Sequence, residues 1–142
     1  MKRFSEEHQW VEIKDGVATI GITAYAAEEL GEITFIELPE VGTVFAQGDT
    51  LCVVESVKAA SDVFAPVGGT VKEVNQRLDQ EPGQINVSPE RDGWLCRFEE
   101  VDESEMDALM TEAQYEEFIV AEGEEEEEET AAGPEAEEED EE

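Results

Sequence analysis

Positive charge is scarce in this chain, and the scarcity narrows the choice of partners. Only eight of its 142 residues are lysine or arginine, against 40 aspartates and glutamates, which gives a formal net charge of −32. Nucleic acids and anionic membrane surfaces would repel such a chain, so we expect neither as a partner. The expected partners are proteins.

Histidine and cysteine are also too few for a typical metal site. His8 is the one histidine, and Cys52 and Cys96 lie far apart without the short C-x-x-C spacing of zinc sites. Both cysteines lie in apolar runs, LCVV and WLCRF, which predicts buried core thiols in a reducing compartment. No catalytic partner for His8 is recognisable, so we predict neither a metal nor a catalytic residue.

Long apolar runs are missing as well. The N-terminal Met1-Lys2-Arg3 is followed by Phe4, a serine and acidic residues, and no stretch could serve as a signal segment or span a bilayer. We therefore expect a cytoplasmic protein that does not enter a membrane.

The acidic residues divide the chain into two parts. Residues 99–142 hold 23 of the 40 acids, whereas all eight lysines and arginines lie in 1–98. From Glu122 onward fourteen of 21 residues are acidic, and such a segment cannot bury enough apolar surface to fold. We predict one folded domain over 1–121 and a disordered acidic tail over 122–142.

Short β-prone runs between turn residues predict a mostly β fold. VEIKDGVATIGI is typical of a hairpin that turns at Asp15-Gly16, and Thr23 and Gly31 are placed to cap a short helix over 24–30. Further strands are expected in ITFIEL, TVFA, TLCVVES, SDVFAPV, GTVKEV and WLCRFEE. The spacing of these runs favours a small antiparallel sandwich or barrel.

A helical pattern follows Glu100. Asp102 and Glu105 have the spacing of a capping box, and apolar residues then recur on one helical face at Met106, Leu109, Met110 and Ala113. A second short helix, capped by Thr111 and Gln114, is expected to carry Tyr115, Phe118 and Ile119.

One lysine stands between two strands that otherwise contain none. Lys58 lies ten residues after Gly48 and ten before Gly68, in GDTLCVVESVKAASDVFAPVGG, a symmetry that predicts a hairpin with Lys58 at its tip. Small neighbours would leave the amine open to another protein. An exposed amine is a poor catalyst by itself but a good acylation target. From the pattern alone, an ordinary solvated lysine is the alternative interpretation.

The stretch VESVKAASDVFAPVGGTVKEVN resembles the lipoylation hairpin of glycine cleavage H proteins. The resemblance covers roughly residues 4–120, and its further motifs occur in the family's order: Ser5-Glu6-Glu7-His8, Trp10, IGIT, LGEITFIELPEVG, INVSP and Gly93-Trp94. It implies a lipoyl/biotinyl-like hybrid barrel-sandwich, mostly β, with a short helix in the N-terminal half, C-terminal helices and a disordered acidic tail.

The resemblance implies a carrier rather than an enzyme. Lipoic acid would be joined in amide linkage to Lys58, and a lipoyl-attaching enzyme would recognise Glu55 and the tight tip formed with Ser56, Val57 and Ala59. The arm would take an aminomethyl group from glycine decarboxylase (P protein) to the aminomethyltransferase (T protein). Dihydrolipoyl dehydrogenase (L protein) would then reoxidise it.

Two further positions follow from the resemblance. Asp62 matches a family carboxylate near the ammonium of the loaded arm, although an exposed acid beside a turn is the alternative. The family usually reads His-Glu-Trp where this chain has His8-Gln9-Trp10, so Gln9 would accept a hydrogen bond without supplying charge.

Other lysine carriers fit this chain less well. Biotin carriers would present methionine on both sides of the lysine, where Val57 and Ala59 stand here. Lipoyl domains of 2-oxo acid dehydrogenases typically show Asp-Lys-Ala and continue into further domains. Two alternatives stay open: a relay that donates octanoyl or lipoyl groups from Lys58 to other lipoyl domains, and an unmodified adaptor.

Overall fold

Strands dominate the first hundred residues, and helices follow. The computed structural model describes residues 1–132, with side chains described through residue 122. The strands are β1 (Lys2–Phe4), β2 (Gln9–Lys14), β3 (Val17–Ile22), β4 (Ile33–Glu37), β5 (Val44–Phe45), β6 (Thr50–Ser56), β7 (Ala60–Phe64), β8 (Gly69–Val74) and β9 (Cys96–Glu99). The α-helices are α1 (Ala24–Leu30), α2 (Arg77–Gln80), α3 (Gln84–Val87) and α4 (Glu112–Ala132), and a 3-10 helix spans Glu103–Ala108.

The predicted first hairpin and the helix after it are both present. Asp15 and Gly16 have φ values of 54° and 78°, the left-handed conformation that a two-residue turn between β2 and β3 requires. At the start of α1 the Thr23 hydroxyl accepts a hydrogen bond from Ala26 N at 3.2 Å. Gly31 ends the helix with a φ of 78°. Local turn and cap chemistry therefore determines this part of the fold.

Two antiparallel sheets enclose the core. One has six strands in the order β1-β2-β3-β9-β8-β5, and the other has three in the order β4-β6-β7. Residues from the inner faces of both sheets, such as Ile20 and Phe98 from one and Val54 and Ile36 from the other, are at least 98% buried in a single cluster. The predicted mostly β sandwich is confirmed, and its burial of apolar surface is the main stabilising contribution.

A tryptophan joins three of the sequence motifs. Trp10 on β2 lies opposite Gly21 on β3, where an added Cβ would come within 2.7 Å of the indole nitrogen. The indole N–H donates to the Pro89 carbonyl at 3.1 Å. A glycine is therefore required at residue 21 because the ring occupies the space of its side chain.

The structure contains three elements that the sequence analysis did not predict. They are the edge strand β1 and the short helices α2 and α3. β1 is a three-residue edge strand, and the two helices are single turns, each too short to show a hydrophobic period. Their apolar residues Leu78 and Ile85 are nevertheless buried in the core cluster.

The segment after Glu100 forms a 3-10 helix without the predicted capping box. Asp102 accepts hydrogen bonds from the backbone N and the hydroxyl of Ser104, at 3.0 and 2.7 Å. The Glu105 carboxylate instead accepts from Gly68 N at 2.8 Å. That carboxylate thus ties the 3-10 helix to the base of the lysine hairpin, a long-range contact that the local spacing could not reveal.

The residues from Glu112 onward form a separate unit. Within it the predicted second C-terminal helix is present as α4, and the rings of Tyr115 and Phe118 lie 6.4 Å apart. At 122–132 the structure differs from the predicted disorder, because α4 continues there through glutamate and alanine, which have good helix propensity. The disorder predicted for 133–142 lies outside the described residues, and the boundary after residue 121 stays a prediction.

Candidate functional site

Lys58 lies at the tip of the hairpin formed by β6 and β7. The last paired residues are Glu55 and Ala60, and the tip closes through a hydrogen bond from Ser56 N to the Ala59 carbonyl at 2.8 Å. Val57 and Lys58 are left as a two-residue loop, and both are exposed. The hairpin predicted from the glycine spacing is therefore present, with its lysine displayed to solvent.

The Ser56 hydroxyl fixes the shape of this loop. Its oxygen accepts from Lys58 N at 3.1 Å and from Ala59 N at 3.2 Å. It also lies 3.2 Å from the Ala59 carbonyl, to which it can donate. A serine that hydrogen-bonds the backbone two and three residues ahead is a common means of stabilising a turn. Ser56 therefore organises the backbone from which Lys58 projects.

The Lys58 amine lies against the C-terminal end of α1. Its Nζ donates to the Glu29 carbonyl at 3.2 Å. This carbonyl is among the last four of the helix, which have no partner within the helix, and the helix dipole is negative at this end. Gly31 leaves room for the side chain, since an added Cβ there would lie 3.0 Å from Lys58 Cε.

The backbone of the tip is docked on the residues that follow α1. Val57 N donates to the Glu32 carbonyl at 3.0 Å, while the Val57 side chain is 64% exposed. β4 begins at the next residue, and its pairing with β6 shifts register between Ile33 and Phe35. The tip is thus held by the turn between α1 and β4 as well as by its own strands.

Asn86 on α3 holds that turn, and sequence reasoning did not single it out. Its Nδ2 donates to the Gly31 carbonyl at 2.8 Å, and its Oδ1 accepts from Ile33 N at 2.9 Å. The only available signal was its place in the INVSP motif, 28 residues after Lys58. That distance along the chain gave no indication that the two lie near the same turn.

The outer face of the three-stranded sheet adjoins the tip and carries two predicted site residues. Glu55 is paired with Phe35 on β4 and with Ala60 on β7, and all three are exposed. In the next outward-facing row Val53 is paired with Glu37 and with Asp62, and both carboxylates are exposed. Glu55 on β6 and Asp62 on β7 therefore share one face of the sheet and lie in adjacent outward-facing rows.

Gln9 is placed differently. Its side chain is only 2% exposed, its Oε1 accepts from the Ser5 hydroxyl at 2.6 Å, and its Nε2 donates to the Glu7 carbonyl at 3.0 Å. These bonds stabilise the turn between β1 and β2, in the six-stranded sheet. The structure thus gives Gln9 a role in local folding. Neither of these two side-chain hydrogen bonds involves a residue of the β6–β7 hairpin.

Both cysteines are free and buried. Burial, and secondarily the charge of Glu37, raise the pKa of the Cys52 thiol to about 12. Burial, with a smaller effect of Cys52, also raises the pKa of the Cys96 thiol well above its usual range. Because thiolates are the reactive form, neither residue is suited to redox chemistry in the folded state.

Among the described residues no group of three or more histidines, cysteines or carboxylates is arranged to hold a metal ion. In the same part of the chain, no helix is both long enough and apolar enough to cross a bilayer.

Comparisons with known proteins agree with one another. Residues 2–122 match the family model described as glycine cleavage H-protein. A glycine cleavage system H protein from Thermotoga maritima is 48% identical over 122 residues, which is 86% of this chain and 98% of that protein. One from Phenylobacterium zucineum is 50% identical over 117 residues, covering 82% and 97% of the two chains. The crystal structure of an H protein from Mycobacterium marinum superposes with a TM-score of 0.74 at 33% identity, covering 86% of this chain and 96% of that one.

Proposed function

This chain belongs to the glycine cleavage H-protein family, and from that premise we propose that Lys58 carries lipoic acid in amide linkage to its Nζ. The observation that supports this assignment is the position of Lys58 in an exposed two-residue loop at the tip of a hairpin. The chain would then act as a carrier within a multienzyme system. Its own residues hold and present the arm.

The residues around Lys58 fit such an attached group. Ala59 and Ala60 are small and exposed, and Gly31 has no side chain to fill the space beside the lysine stem. Val57 offers an exposed apolar surface next to the root of the arm. An attached lipoyl group would supply a disulfide. Its sulfurs can accept the carried aminomethyl group and release it, and the resulting dithiol can be reoxidised, which is ordinary thiol and disulfide chemistry.

The lipoyl-attaching enzyme must recognise the tip before the arm exists. We propose that it recognises the Glu55 carboxylate together with the loop that the Ser56 hydroxyl holds in shape, with Val57 and Ala59 on either side of the amine. Lys58 would react at Nζ: the amine attacks an activated lipoyl carbonyl and the C–N bond of the amide forms. The bond from the carbonyl carbon to the activating group breaks, that group leaves with the electron pair, and the nitrogen gives up one proton to solvent.

Three enzymes would use the loaded carrier. We propose glycine decarboxylase (P protein), the aminomethyltransferase (T protein) and dihydrolipoyl dehydrogenase (L protein) as its partners, in that order of contact. The sulfurs involved would be those of the arm, because Cys52 and Cys96 are buried and protonated. Free buried thiols suit the reducing cytoplasm, the location proposed here.

Asp62 is the proposed charged partner for an ammonium on the loaded arm. Its carboxylate is exposed on the same face as Glu55 and lies on the strand that leaves the tip. The Gln9 amide already hydrogen-bonds Ser5 and Glu7, so in this proposal it would contribute by changing partners, without adding charge.

Mass spectrometry of three chains tests the assignment of Lys58. After incubation with a lipoyl-attaching enzyme, lipoate and ATP, the wild type should gain one lipoyl group and support glycine decarboxylation. Lys58→Arg should gain none, because a guanidinium remains protonated and is no acyl acceptor. Lys72→Arg, which changes an exposed lysine on β8, is the matched control and should behave as the wild type. A lipoyl group on Lys58→Arg would show that another residue is the attachment site.

A further inference from the structure

Asn86 connects two parts of the chain that strand pairing leaves apart. Through Nδ2 it binds the Gly31 carbonyl at 2.8 Å, and through Oδ1 it binds Ile33 N at 2.9 Å. One side chain therefore holds the backbone on both sides of Glu32. The amide is suited to this because it carries a donor and an acceptor side by side.

The residues held by Asn86 are those on which the hairpin tip rests. Between its two contacts lies the Glu32 carbonyl, which accepts from Val57 N at 3.0 Å. Just before them lies the Glu29 carbonyl, which accepts from Lys58 Nζ at 3.2 Å. The backbone at 29–33 thus accepts hydrogen bonds from the loop that displays the lysine and is itself held by Asn86.

This turn needs an external constraint. Gly31 has a φ of 78° and a ψ of −154°, a conformation open almost only to glycine, and glycine by itself does not favour it over others. The ladder between β4 and β6 is irregular at this point, with a register shift between Ile33 and Phe35. α3, in contrast, is anchored by the fully buried Ile85 next to Asn86. Asn86 therefore transmits the rigidity of the core to the turn.

We propose that Asn86 is a positioning residue for Lys58, one that fixes the turn at 31–33 so that the tip presents a single arrangement to the enzyme that acylates the amine. The proposal rests on the proposed lipoylation of Lys58. Asn86 itself touches neither the amine nor the incoming group. Its effect is on how often the tip has the arrangement that the attaching enzyme binds.

Asn86→Ala removes both contacts and should loosen the tip. Loss of a neutral hydrogen bond changes a local equilibrium by about two- to tenfold, so we expect hydrogen exchange of the Val57 amide to rise by about tenfold. With the full chain and a lipoyl-attaching enzyme supplied with lipoate and ATP, KM should rise about three- to tenfold while kcat changes little. Asn86→Asp keeps the acceptor for Ile33 N but places a carboxylate oxygen against the Gly31 carbonyl in place of the donor, and should also raise both quantities.

Gln47→Ala is the matched control. Like Asn86, Gln47 binds the backbone at two places through its side-chain amide, but both bonds are donated by Nε2, to the Pro66 and Glu105 carbonyls, at the opposite end of the same hairpin. It should lower the melting temperature without changing the exchange of Val57 or the KM. If both Asn86 variants behave as this control does, the positioning role is overturned. If wild-type Lys58 takes no lipoyl group, the proposed function fails, and the exchange of Val57 then decides the role of Asn86 by itself.

Discussion

At the scale of single residues, the surroundings of Lys58 depend on groups with small or missing side chains. Gly31 lies beside the lysine stem, and an added Cβ would approach Lys58 Cε to 3.0 Å. The same residue has a positive φ where α1 ends. Its lack of a side chain therefore serves two purposes, the backbone conformation of the turn and the space for the amine.

Gly31→Ala should destabilise the fold and displace the lysine. A non-glycine residue in such a conformation costs about 1–3 kcal/mol, and the new methyl group should separate Nζ from the Glu29 carbonyl. Urea unfolding measures the first effect. Repeating the substitution in a Lys58→Ala variant isolates the second effect. Without the lysine stem the new methyl group meets no steric hindrance from it, so the loss in free energy of unfolding should be smaller.

Gly16→Ala provides the comparison for that experiment. Gly16 has the same φ of +78°, but no atom lies within 4 Å of the position of an added Cβ. It should show the backbone cost without any coupling to Lys58. If Lys58→Ala changes the destabilisation caused by Gly31→Ala no more than it changes that caused by Gly16→Ala, then Gly31 makes no specific contact with the lysine.

At the scale of elements, the hairpin is held at both ends by segments distant in sequence. The turn after α1 holds its tip, and the 3-10 helix at 103–108 holds its base through Glu105 and Gly68.

The start of that 3-10 helix depends on Asp102. Its hydrogen bonds from the Ser104 hydroxyl and from Ser104 N lower the pKa of Asp102 below its usual value.

A lowered carboxyl pKa has a defined consequence for pH dependence. The ionised Asp102 favours the folded state above the pKa it has in the unfolded chain, and this contribution is lost as the pH falls through the lower pKa of the folded state. Ser104→Ala removes the side-chain donor, so the pKa of Asp102 should rise while the backbone donor remains. NMR titration of the Asp102 carboxyl carbon measures the change directly.

Asp102→Asn is the control for that titration. It should remove the contribution of Asp102 to the acid dependence of the free energy of unfolding. In this background Ser104→Ala should no longer change that pH dependence. An unchanged Asp102 pKa in Ser104→Ala would show that the hydroxyl does not act on the carboxylate.

At the scale of the whole molecule, charge is unevenly distributed. The last 21 residues carry fourteen acids and no lysine or arginine, and apart from one proline they contain no apolar residue larger than alanine. A segment of this composition contributes repulsion and solubility more than it contributes packing.

Deletion of residues 122–142 should therefore leave the melting temperature nearly unchanged at high salt. The formal net charge would fall from −32 to −18, since fourteen acids are removed. At low ionic strength, where the Debye length is about 30 Å at 0.01 M, the shortened chain should be equal to the wild type or slightly more stable. Thermal unfolding at both salt concentrations measures this.

A full-length variant with those fourteen acids replaced by glutamine separates charge from chain length. It should match the shortened chain at low salt. A large loss of stability on deletion would show that the segment contributes structure to the fold.

The local sequence determined many of the strands, turns and helix ends of this protein, because turns, caps and hydrophobic alternation act over a few residues. Asp15-Gly16, Thr23 and Gly31 fixed the first hairpin and α1, and two glycines placed symmetrically about Lys58 predicted the hairpin that displays it. The ordered motifs identified the family, which the comparisons confirmed.

Only the tertiary structure decided which distant groups meet. Asn86 reaches the turn at 31–33 across 53 residues, and Glu105 binds Gly68 across 37, instead of forming the capping box that its spacing favoured. Gln9 is buried and bound to Ser5 and Glu7, two contacts that its motif did not indicate. Such pairings depend on how the two sheets close around the core, and a contact between residues far apart along the chain leaves no periodic signal in either segment.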